Sequence, residues 1–137
     1  MFTLFVLLRD DNHAVNNDLL ACGLKQHFPW YSNFALSTET LIFPPVSLLV
    51  LERKGWRVRF EIREVDEMSL DVAVLQKILQ KKTALPADFL AYNKEIAVGF
   101  DDDPQRRFTD DVIGVAECLR DIFPDAVLFD QYNGEVW

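Results

Sequence analysis

Hydrophobic and polar positions alternate along this chain in ways that predict most of its elements. Residues 2–8 (FTLFVLL) form an unbroken apolar run, the pattern of a strand buried on both faces. Leu20, Leu24, His27 and Phe28 then recur at helical spacing, predicting a helix over 13–28 with Asp11 or Asn12 as its cap and Pro29 as its stop. Gly23 is out of keeping with such a helix, since a helical glycine costs about 1 kcal/mol relative to alanine. Residues 29–45 (PWYSNFALSTETLIFPP) are aromatic and end in a Pro-Pro pair that cannot donate to a ladder, so they are expected to form a long loop.

The clearest local signal follows. Residues 46–52 (VSLLVLE) predict a strand, Arg53-Lys54-Gly55 a turn, and 56–64 the return strand. The return strand alternates Val58, Phe60 and Ile62 with Arg57, Arg59, Glu61 and Arg63, as a half-solvated antiparallel strand should. Ser69 is placed to cap a helix over 70–82, with Asp71 in its first turn, Lys77, Lys81 and Lys82 near its end, and Leu75, Ile78 and Leu79 facing inward. Residues 83–93 read as a loop with one helical turn from Pro86, and 95–100 (EIAVGF) as a strand. Thr109 is expected to cap a helix over 110–122 whose inner face is Val112, Val115, Ala116, Leu119 and Ile122. Residues 126–130 predict a strand, Asn133-Gly134 a hairpin turn and 135–137 a short final strand.

The predicted order is βαββαβ followed by αββ, in one domain spanning 1–137. Its first six elements have the order of a ferredoxin-like split βαβ sheet; a twofold use of β-α-β-β is the alternative. Either arrangement is α+β, a mostly antiparallel sheet covered by helices.

Composition agrees with a globular chain: 137 residues, 50% hydrophobic and 26% charged, with mean hydropathy near zero. Disordered and fibrous classes are excluded. The start of the chain lacks the basic segment and cleavage site of a signal peptide, and no apolar run approaches the roughly 20 residues that span a bilayer, so a soluble cytoplasmic protein is expected. Cys22 and Cys118 have no CxxC spacing and no neighbouring histidine; both are expected to be small core residues.

Charge changes the picture more. The net charge is −8, and residues 83–137 carry 12 acidic side chains against 4 basic ones. Such a surface repels nucleic-acid backbones and anionic lipid and attracts a basic protein. Five of these carboxylates fall in one short segment, Asp101, Asp102, Asp103, Asp110 and Asp111. Asp110 and Asp111 suit the first turn of a helix, where the dipole rewards negative charge. The Asp101–Asp103 triplet reads as a solvated loop, a docking site for a basic partner or a metal site, although its spacing lacks the calcium-loop register.

Other constellations are weaker. Asp10-Asp11-Asn12-His13 could support acid–base or metal chemistry but also reads as helix capping. Arg57, Arg59 and Arg63 with Lys54 form a stripe suited to an anion or simply to solvent. Trp30, Tyr31, Trp56, Tyr132 and Trp137 are candidate aromatic anchors, of which Trp30 and Tyr31 join the five aspartates as expected partner-binding residues. There is no nucleophile elbow and no glycine-rich phosphate loop, so no catalytic residue, cofactor or metal ligand is assigned.

In size, acidity, α+β pattern and lack of a catalytic motif, and in the C-terminal stretch IAVGFDDDP…FTDDVIGVAECLRDIFPDAVLFDQYNGEVW, the chain resembles a bacterial immunity protein of the contact-dependent growth inhibition type. The resemblance is one of character over the whole chain. It implies a cytoplasmic inhibitor that binds one cognate toxin domain. Many such toxins are nucleases with basic clefts, and an acidic surface would then mimic a phosphate backbone. The alternatives are a small metal-dependent enzyme built on an Asp/His cluster, and a structural or accessory protein that self-associates through its last strand or through 29–45.

Overall fold

The structure is a computed structural model and describes residues 2–9, 15–28, 33–43 and 45–137. In chain order the elements are β1 (Phe2–Leu8), α1 (Asn17–His27), β2 (Ala35–Leu41), β3 (Val46–Arg53), β4 (Trp56–Glu64), α2 (Val72–Leu79), β5 (Lys94–Phe100), α3 (Thr109–Ile122), β6 (Val127–Asp130) and β7 (Glu135–Val136). Single 3-10 turns lie at Val65–Glu67 and Phe89–Ala91. The strands form one sheet in the order β2-β3-β4-β5-β1-β6-β7, and every neighbouring pair is antiparallel.

The main departure from the sequence reading is β2. Residues 35–41 are a strand and not part of a loop, paired with β3 from Ala35↔Glu52 to Leu41↔Val46. The Pro-Pro pair that argued for a loop lies after the strand. Within it, Thr38 and Thr40 favour extended backbone, and Leu36 turns towards the core. The element order is therefore βαβββαβαββ. The ferredoxin-like arrangement also fails, because β5 is inserted between β4 and β1, and β1 has antiparallel neighbours on both sides. A βαβ unit needs a parallel pair.

Alternation along the strands creates two apolar faces. On one, Leu4, Val6, Leu49, Val58, Phe60, Ile96 and Val98 share a core with Leu20 and Leu24 of α1 and Val115 and Leu119 of α3. On the other, Leu7, Val127 and Phe129 pack with Leu75 and Leu79 of α2 and with Phe89 and Tyr92. The β3–β4 hairpin turns through Lys54 and Gly55, both at positive φ (52° and 81°), which suits the right-handed twist of the pair.

Helix starts differ from expectation for identifiable reasons. Asn16, not Asp11 or Asn12, caps α1, its side chain accepting from the Leu19 amide at 2.9 Å. Asp10 to Ala14 lie outside the described residues. Ser69 does not cap α2 because its amide and that of Leu70 donate to Glu95 (3.0 and 3.1 Å), and its hydroxyl meets Arg63. Asp71 takes the capping role, and α2 ends before Lys81 and Lys82. Thr109 is the first residue of α3 rather than its cap, and Ile78, expected inward, is 49% exposed.

Gly23 has a packing reason. A Cβ there would lie 2.2 Å from Cδ1 and 2.4 Å from Cγ1 of Ile122, so α1 and α3 approach as closely as they do only over a bare backbone. Gly23→Ala is expected to cost about 1–3 kcal/mol through overpacking. In an Ile122→Ala background the same change should be neutral or stabilising, since helix propensity then favours alanine. Urea denaturation of the two single variants and the double variant checks this.

Candidate functional site

Antiparallel pairing brings the start of β1, the end of β5, the start of β4, the end of β6 and the start of β7 to one end of the sheet. Phe2 lies opposite Phe100, and Phe100 opposite Val58. The rings there form a ladder. Trp137 stacks on Phe2 at 5.5 Å, Phe2 on Phe100 at 5.6 Å, Phe100 on Trp56 at 6.0 Å and Trp56 on Phe108 at 4.7 Å, with interplanar angles of 28° or less. Offset stacking of this kind is favourable beyond the area it buries. Trp56, Phe100 and Phe108 tie β4, β5 and the start of α3 together, while Trp137 and Phe2 remain partly exposed at the other end.

A groove of about 1160 Å³ opens beside this ladder. Asp101, Asp102, Asp103 and Arg106 contribute to its lining on one side, Tyr132 and Trp137 on the other. Tyr132 is 90% exposed. Its loop is held from below by Asp130, whose fully buried carboxylate accepts from the Asn133 amide (3.2 Å) and Nδ2 (2.7 Å). Gly134 closes the turn at φ 66°.

The acidic segment is ordered by its own contacts. Asp101 accepts from Arg59 Nη1 at 2.7 Å and from the Arg57 amide at 3.1 Å, while its carbonyl receives the Trp56 indole N–H at 3.0 Å. Asp103 accepts from the amides of Arg107 and Phe108, both at 2.8 Å, and so satisfies donors at the approach to α3 that Thr109 was expected to cap. Those bonds also hold Arg106 at φ 53°, a conformation few arginines adopt. Asp111 is buried against Arg53 at 3.0 Å. Asp102 and Asp110 are exposed. The five carboxylates are thus divided: Asp101, Asp102 and Asp103 line the groove, Asp110 stands on the outer face of α3, and Asp111 turns inward. Trp30 and Tyr31 lie outside the described residues, and Trp56, a candidate anchor, is buried in the ladder.

The arginine stripe of β4 is neutralised along its length. Arg57 pairs with Glu52 (3.4 Å), Arg59 with Asp101 and Glu39 (2.7 and 3.8 Å), and Arg63 with Glu61 and Glu95 (2.9 and 3.2 Å). Among the described residues no group of three or more His, Cys, Asp or Glu side chains is placed to hold a metal ion, and no helix is long and apolar enough to cross a membrane.

The two cysteines separate. Cys22, expected in the core, is exposed on α1; Cys118 is buried on α3, where burial and then the charge of Asp121 push its thiol up to about 12. Only a thiolate attacks a disulfide reagent. Native protein should therefore release one equivalent promptly and the second only on unfolding, which a colorimetric thiol titration with and without guanidinium checks.

Comparisons with protein-family models, with curated proteins and with solved structures return no match to this chain. The ladder was not legible in the sequence as a unit. Phe2 and Phe100 lie far apart in the chain and become neighbours through the β1–β5 register, while Phe108 joins them only through the packing of the start of α3 on Trp56.

Proposed function

We propose that this chain is a non-catalytic inhibitor of the immunity type, binding a cognate bacterial toxin domain and receiving a basic surface of it in the groove at the end of the sheet. The juxtaposition of stacked rings and carboxylates carries this reading. A guanidinium is planar: it stacks on aromatic faces and donates to carboxylates at its edge. Tyr132, Trp137 and Phe2 offer faces, and Asp101 and Asp102 offer acceptors within the same groove. Asp101 already binds an arginine of its own chain, so its oxygens are oriented before any partner arrives. The acidic C-terminal part would accelerate encounter with a cationic domain, and the aromatic faces would supply the desolvated contacts that hold it.

Co-expression with the product of the neighbouring open reading frame, which the reading expects to be a toxin domain, tests it. The expected result is restored growth and a complex that survives purification. Tyr132→Ala with Asp102→Asn should weaken that complex by about 2 kcal/mol, roughly 30-fold, with an unchanged melting temperature, since both side chains are exposed. Lack of a complex, or binding indifferent to both substitutions, would refute it.

A further inference from the structure

The two edges of the sheet are unlike. At one, β7 has only two residues. At the other, β2 runs for seven residues in an unbroken ladder with β3, and among the described residues no strand pairs with its outer side. Proteins blunt exposed edges with proline, lysine, bulges or brevity. Residues 35–41 (ALSTETL) use none of these. Their one charge, Glu39, is drawn across the sheet face towards Arg59 Nε, 3.8 Å away. What remains facing outward is a row of backbone donors and acceptors.

We infer that two copies of this chain pair edge to edge through β2, antiparallel and in register about Thr38. The occupant follows from the sequence of the strand. A two-fold axis at Thr38 sets Ala35 opposite Leu41, Leu36 opposite Thr40 and Ser37 opposite Glu39, so no charge faces its own copy and apolar or β-branched side chains meet across the seam. Moving the axis to Glu39 would oppose two carboxylates. Carried one step beyond the strand, the register brings Ile42 opposite Phe34 of the second copy, and Phe43 opposite its Asn33. Ile42 and Phe43 are 74% and 92% exposed, large apolar side chains that the single chain leaves in water. Phe34 packs tilted against Phe28, with ring centroids 4.6 Å apart, and lies under the Arg53 guanidinium at 5.4 Å, giving the incoming tip a preformed surface. Burial of those side chains supplies the apolar component that backbone hydrogen bonds alone would lack. The groove at the end of the sheet uses none of β2, so each copy keeps it open, and the pairing stands or falls independently of the toxin-binding proposal.

Sedimentation velocity of the full chain tests this with charge at the axis. Thr38 is exposed, so Thr38→Lys and Thr38→Asp should fold with unchanged circular dichroism. The wild type should dimerise with rising concentration. Each variant alone opposes two like charges at the axis and should self-associate at least about tenfold more weakly. An equimolar mixture of the two opposes lysine to aspartate and should recover the dimer. A wild type that stays monomeric throughout its soluble range, single variants that dimerise as well as the wild type, or a mixture that stays monomeric would each overturn the inference.

Discussion

Replacing Glu95 with alanine should destabilise the protein by about 3 kcal/mol, a large part of the roughly 5–15 kcal/mol that a domain has to lose. Glu95 is fully buried on β5, and its carboxylate makes three contacts: Arg63 at 3.2 Å and the amides of Ser69 and Leu70 at 3.0 and 3.1 Å. Those amides precede α2, so the side chain fixes where the chain leaves the sheet and where the helix can begin. Alanine strands both donors and leaves Arg63 with only Glu61 and the Ser69 hydroxyl among the described residues. Glu95→Gln keeps the shape but turns a donor towards one of these donors, and should cost about half as much. Replacing the pair together, Glu95→Leu with Arg63→Met, should recover the part of the loss that belongs to the stranded guanidinium but not the part that belongs to the amides. Guanidinium denaturation of the four proteins separates these contributions. Equal stability of Glu95→Ala and the wild type would show that the 65–71 segment is held by other means.

Phe100→Ala should cost about 4 kcal/mol, within the range for removing a fully buried aromatic ring. Phe100 is 1% exposed and is the middle ring of the ladder, stacked between Phe2 and Trp56. Its loss leaves a cavity and disconnects Trp137 and Phe2 from the rings anchored on β4 and α3. Phe100→Leu fills most of the volume and should cost about 1.5 kcal/mol. The two variants also differ in a second observable. With the ladder cut, Trp137 loses the stack beneath its neighbour and its fluorescence should move towards that of exposed tryptophan, whereas Phe60→Ala, which empties the core elsewhere on the same face, should leave it in place. Thermal melts read by circular dichroism and by tryptophan emission distinguish the two outcomes.

Much of the fold was legible because its signals are local. The β3–β4 hairpin follows from strict alternation and a turn with glycine at positive φ, and α3 follows from apolar spacing. The β2 strand was obscured by Pro44-Pro45, which come later in the sequence than its last residue, Leu41. The caps were misplaced because they depend on distant partners: Ser69 looks like a cap until Glu95, 26 residues on, takes its amide. Gly23 could be flagged as unusual from sequence, but its reason, Ile122, lies on another helix. At the groove, composition could identify the acidic triplet and Tyr132 as candidates. It could not foresee that Asp103 is committed to the amides of Arg107 and Phe108 and Asp111 to Arg53, or that Phe2, Phe100 and Phe108 converge, since these depend on the path of the loop before α3, on the packing of α3 and on strand register.

The central claim is that the groove beside the aromatic ladder receives cationic side chains. A titration of indole-labelled protein with an oligo-arginine peptide, followed by NMR, reads it most directly. The Trp137 and Trp56 indole signals should shift saturably, the second through its bond to the Asp101 carbonyl; added salt should reverse the shifts, and Tyr132→Ala with Asp102→Asn should reduce them. Indole signals that stay still, or that respond equally to an oligo-glutamate peptide, would contradict the account.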